Sequence, residues 1–152
     1  CLFGASDTKT WPSTMSFGGG YNGGRTRMGI KVFLNVYDLS PANDCLYPAG
    51  LGVHHSGVEV LGSEYAFGSG GGIFDSTPKE AAQAKFRESI LLGTIEGGSS
   101  QLRSVISQLR NEFKPDNYNI LTRNCNHFAN TLVFALGLGQ IPPHINRVAY
   151  IG

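Results

Sequence analysis

Two hydrophobic periodicities divide the chain. From Cys125 onward the apolar residues Phe128, Ala129, Leu132, Val133 and Leu136 recur at i, i+3 and i+4, the single buried stripe of an amphipathic helix. Asn124 precedes the stripe as a capping residue, and Gly137, Gly139 and Pro142-Pro143 stop it. A second helix is predicted over Ser99–Phe113, where Leu102, Val105, Ile106, Leu109 and Phe113 keep the same spacing. Earlier in the chain the period is two. Lys31–Tyr37 and Val53–Leu61 read as strands, with a loop from Pro41 to Gly52 between them, and Glu64–Phe67 and Gly72–Phe74 as shorter strands flanking a glycine loop. Thr77-Pro78-Lys79-Glu80 carries a helix start signal with Thr77 as cap, although Phe86–Thr94 turns back to a strand pattern through Ser89-Ile90-Leu91-Leu92. Tyr118–Leu121 leads into the last helix. The sum is an α+β domain, a small and mostly antiparallel sheet packed against helices.

Residues 1–29 break from this pattern. They are rich in Gly, Ser and Thr, with few aliphatics to offset the entropy of ordering, and predict a flexible tail ahead of one domain over 30–152. Removing that tail is expected to leave the melting temperature nearly unchanged. The chain has 152 residues, 41% of them hydrophobic, enough for one core. Twelve basic residues against eleven acidic ones give a net charge of +1, which points to neither a nucleic acid nor a membrane surface as partner. No apolar run approaches the roughly 20 residues of a membrane span. The three cysteines, Cys1, Cys45 and Cys125, form no CxxC pair. They predict neither a disulfide framework nor a zinc site, no cofactor, and a reducing compartment.

Against that background Asn124-Cys125-Asn126-His127-Phe128 stands out. A cysteine in the first turn of a helix sits over unpaired backbone N–H groups and the positive end of the macrodipole, which favour thiolate over thiol. The same groups would hold an oxyanion forming on a substrate carbonyl. His127 cannot serve Cys125, because residues two apart on a helix project about 200° from each other; its expected role is structural or at the rim. The partner must come from another element. In Val53–Leu61, alternation puts His55, Gly57 and Glu59 on one face and His54, Ser56, Val58 and Val60 on the other. Periodicity does not choose between the two histidines, and a buried, inert cysteine with a satisfied strand histidine is the plainer alternative.

The segments Leu34-Asn35-Val36-Tyr37-Asp38-Leu39, His55-Ser56-Gly57-Val58-Glu59-Val60, Glu64-Tyr65-Ala66-Phe67-Gly68, Asn124–Phe128 and Ile141-Pro142-Pro143-His144-Ile145-Asn146-Arg147 occur in this order. Together they resemble the PPPDE family, which includes the desumoylating isopeptidases (DeSI proteins), and within it the second DeSI subgroup more than the first. The resemblance covers Ile30–Gly152. It implies a circularly permuted papain-like cysteine peptidase fold, Cys125 as nucleophile and His55 as its catalytic histidine, with no such role for His54. It further implies hydrolysis of the isopeptide bond between SUMO or ubiquitin and a protein through a thioester, in the cytoplasm and nucleus. The state of assembly, monomer or homodimer, stays open. Glu59 and Glu64 are candidate orienting groups for the imidazole, or simply a solvated strand end; Glu59 lies four residues and so roughly 13 Å from His55. Three rivals remain: a thiol acyltransferase or phospholipase resembling the lecithin:retinol acyltransferase group, a protein S-deacylase using the same dyad, and an idle peptide-binding module.

Overall fold

The computed structural model describes residues 29–46 and 52–145. Most of the predicted tail, and Asn146 and Arg147 of the last motif, lie outside the described residues. Five strands, β1 (Ile30–Asp38), β2 (His54–Val60), β3 (Ser63–Gly68), β4 (Gly72–Ser76) and β5 (Lys85–Ile95), form one antiparallel sheet in the order β4-β3-β2-β1-β5. The helices are α1 (Asn43–Leu46), α2 (Gly98–Glu112) and α3 (Cys125–Ala135). This is the α+β arrangement that the periodicities predict.

Alternation decides which face carries the core. Val32, Leu34 and Val36 of β1 and Val58 and Val60 of β2 pack with Phe67 against Phe128, Ala129, Leu132 and Val133 of α3 and Leu102, Ile106 and Leu109 of α2. Each fully buried Leu or Phe side chain contributes about 1.5–3 kcal/mol. The opposite face is polar yet also covered around Asn35, Tyr37 and Glu64.

The β2–β3 hairpin fixes what faces what. Leu61 and Gly62 both have positive φ, 55° and 79°, as a tight two-residue connection requires, and the register they impose sets Glu59 directly opposite Glu64. Both carboxylates therefore share the face of His55.

Two expectations are corrected. The start signal at Thr77 opens no helix; β5 instead runs through Lys85–Ile95, because that segment pairs along the whole length of β1. The Pro41–Gly52 loop contains the short helix α1, held by Arg87, which bonds Asp38 at 2.8 Å and Asp44 at 2.8 Å. Among the described residues no helix is long and apolar enough to cross a membrane.

Candidate active site

The cap of α3 is more complete than its sequence suggests. Asn124 accepts from the N–H groups of Asn126 (2.9 Å) and His127 (3.0 Å), while His127 Nδ1 accepts from the Asn124 N–H at 3.3 Å. The two side chains satisfy each other's backbone in a reciprocal box, with His127 in the place usually held by Glu or Gln. His127 therefore has the structural role expected of it.

Asn126 ties this helix start to the strand of histidines. Its Nδ2 donates to the carbonyl of His54 at 3.1 Å and to that of Ile145 at 3.4 Å, and its Oδ1 accepts from Ser56 Oγ at 2.7 Å. Sequence reasoning passed over Asn126. The only available signal was a polar residue in the first turn of a helix that proves to be buried. The backbone N–H of Ser56 also reaches the Cys125 thiol, as do those of Asn126 and Cys125 itself. Backbone groups two residues apart on a strand point to the same edge. The His54 carbonyl and the Ser56 N–H thus both face α3, in the stretch of β2 that precedes its pairing with β3 at Val58. Cys125 therefore sits beside this stretch of β2.

The two histidines leave the strand in different directions. His54 is enclosed, with Nδ1 3.4 Å from Asp38 Oδ1, and Arg87 bonds the same carboxylate. His55 is half-buried on the other face, its ring 5.7 Å from that of Tyr37 and tilted by 41°. Two cavities follow this division. One of about 70 Å³ is lined by Cys125, Asn124, Asn126, Tyr118, Leu39, Val53 and His54, and another of about 420 Å³ by His55, Glu64, Ala66, Phe74, Leu39 and Ala81–Ala84. Of the described residues, it is His54 and not His55 that shares the thiol's cavity; Leu39 is the wall common to both.

Electrostatics revise the expected resting state. Burial pushes the Cys125 thiol above its ordinary value, and the N–H groups of Ser56, Asn126 and Cys125 only partly offset it. The expectation of a thiolate already formed at neutral pH came from weighing the helix terminus without the burial. Burial also lowers His55, against an opposing pull from Glu64. It lowers His54 more than Asp38 raises it, and lowers His127 as well. At neutral pH the centre therefore holds a neutral thiol and neutral imidazoles.

A stability prediction follows from the sign of these shifts. Three histidines bind protons less readily when folded than at the ordinary value of 6.5, so the unfolded chain takes up more protons below it. Their contribution is complete above pH 6.5 and is lost progressively as pH falls beneath it. Melting curves should hold steady from pH 8 to 7 and drop between pH 6.5 and 5; a flat profile there would contradict the burial of these rings.

Glu64 was expected to be solvated or to orient a histidine. It is buried at 2% exposure and accepts from Asn35 Nδ2 at 2.6 Å, the Tyr37 hydroxyl at 2.8 Å and the Lys79 N–H at 3.0 Å. Gly57 makes this possible, since a Cβ there would fall on the Glu64 carboxylate.

Comparison with known proteins agrees with this architecture. Residues 30–152 match the family model described as "PPPDE putative peptidase domain". The chain is 40% identical over 134 residues to the "Desumoylating isopeptidase 1 homolog" of Caenorhabditis elegans, covering 83% of this chain and 40% of that protein. It is 38% identical over 125 residues to a DeSI-like protein of Arabidopsis thaliana, covering 80% and 56%, and 36% identical over 132 residues to one of Schizosaccharomyces pombe, covering 81% and 66%. It thus spans between two fifths and two thirds of the length of these relatives. With the match extending over the whole sheet and the cysteine helix, the chain belongs to the PPPDE peptidase family.

Proposed function

We propose that this protein is a cysteine isopeptidase that removes a SUMO-type modifier from proteins, with Cys125 as nucleophile and His55 as general base. The observation that carries the reading is the thiol itself, set at a capped helix terminus under three converging backbone N–H groups and beside the histidine strand. The name of the Caenorhabditis elegans relative supports the substrate class.

The chemistry follows from a neutral pair. In this reading the two cavities join past Leu39 when substrate binds, and His55 takes the proton of Cys125 as the sulfur attacks the isopeptide carbonyl, so charge separates during the step and not before it. The backbone N–H of Cys125 helps stabilise the oxyanion, while that of Asn126 stays bonded to the Asn124 cap. The imidazolium then protonates the departing lysine amine, leaving a thioester, and water, deprotonated by the same imidazole, releases the modifier's carboxylate and restores the thiol.

Specific observations favour two variants of this reading. His54 shares the thiol's cavity and has Asp38 beside it, which suits a base with an orienting carboxylate. Leu39, Val53 and Ile120, lining that cavity, are 51%, 42% and 68% exposed, an apolar rim that suits a fatty S-acyl thioester. The test is a panel of SUMO, ubiquitin and S-acyl cysteine substrates offered to the full chain. Turnover of SUMO conjugates is expected; turnover of the S-acyl substrate alone would replace the isopeptidase reading, and turnover of none would leave a binding module.

A further inference from the structure

A buried carboxylate that forms no ion pair among the described residues asks for a reason. The Lys79 ammonium, half exposed, pairs with Glu59 at 3.8 Å, whereas among the described residues the Glu64 carboxylate is held by neutral donors: Asn35, the Tyr37 hydroxyl and the Lys79 backbone N–H. Removing a carboxylate from water costs several kcal/mol, and packing alone would be served better by an apolar residue of similar volume. The surroundings are nevertheless arranged to keep it. Asn35 bridges Glu64 to Glu59, Ser89 fixes Asn35 by donating to its Oδ1 at 2.6 Å, and Gly57 yields the space. Tyr37, whose hydroxyl bonds the carboxylate, has its ring 5.7 Å from that of His55, and His55 and Glu64 line one cavity.

We infer that Glu64, clamped by Tyr37 and Asn35, is the positioning residue that stabilises the imidazolium of His55 during acyl transfer. This rests on the reading of His55 as the general base. In the resting enzyme both ring and thiol are neutral. When the Cys125 proton moves to His55, a positive charge appears on a ring whose burial disfavours it, and a fixed negative charge on the same face lowers the energy of that state without reorganising. The direction of Glu64's pull on His55, upward against burial, agrees. Glu59 shares this face, and its charge is paired with the Lys79 ammonium at 3.8 Å.

The test uses Glu64→Gln in the full chain, which keeps side-chain volume and removes the charge. NMR titration of His55 reads the electrostatics without any substrate, and steady-state kinetics on a SUMO conjugate read the consequence. The His55 midpoint is expected to fall by about one pH unit, and kcat to drop about 10- to 100-fold with KM nearly unchanged. The acid limb of the pH–rate profile should move down with the midpoint. Glu64→Asp, which restores the charge but draws it back by one methylene, should fall between Glu64→Gln and the wild type in both. An unchanged His55 midpoint in Glu64→Gln overturns the inference whatever the substrate proves to be. A midpoint that moves in Glu64→Gln while the wild type proves inactive on every modifier would uphold the Glu64–His55 coupling and sink the isopeptidase reading instead. Should Glu64→Gln fail to fold, Glu64→Asp is read alone: a midpoint and kcat both unchanged, with the carboxylate pulled back by one methylene, would count against the inference, and a partial fall in both would support it.

Discussion

Cys125→Ser abolishes turnover, with a loss of at least about 10³-fold in kcat/KM on whichever substrate the panel identifies, while the melting temperature changes by only a few degrees. The hydroxyl fits the same buried position and meets the same three N–H groups, so the fold has little reason to respond. Its proton, however, is far harder to remove, and a base matched to a thiol does not suffice. Labelling by a modifier carrying a C-terminal vinyl sulfone should vanish in this variant and persist in Cys45→Ser, whose thiol lies exposed. Labelling that survives in Cys125→Ser would move the nucleophile elsewhere.

His55→Ala and His54→Ala are expected to separate cleanly. The first should cost about 10²–10⁴-fold in kcat/KM, the ordinary worth of a general base, with partial rescue by added imidazole. The second should leave kcat/KM within a few-fold but lower stability by about 1–3 kcal/mol, because Asp38 loses an enclosed neighbour. Thermal melts and Michaelis kinetics on both variants decide the matter. Activity lost in His54→Ala and kept in His55→Ala would assign the base to the His54–Asp38 pair in the thiol's own cavity.

Most of what builds this site was legible as local pattern. The stripe from Phe128 to Leu136 and the Asn124 cap predicted α3, and alternation in Val53–Leu61 separated His54 from His55 with the faces the structure assigns them. What escaped depends on contacts between distant segments. Nothing in the Lys85–Ile95 stretch says that it will pair with all of β1, and the Thr77-Pro78 start signal competes with that pairing and loses. Glu64 reads as a charged strand residue until Asn35 and Tyr37 arrive from 27 to 29 positions away. The thiol's raised pKa likewise follows from burial, which no helix-start motif reports.

The order of elements along the chain carries a final consequence. All five strands, both histidines and Glu64 precede residue 100, whereas the sulfur arrives only at position 125. Under the proposed mechanism, then, a nascent polypeptide carries His55 and Glu64 before the sulfur is made, and it stays chemically silent at this site until α3 docks beside β2. Stalled chains of increasing length should acquire probe reactivity at Cys125 only once α3 is fully out of the exit tunnel.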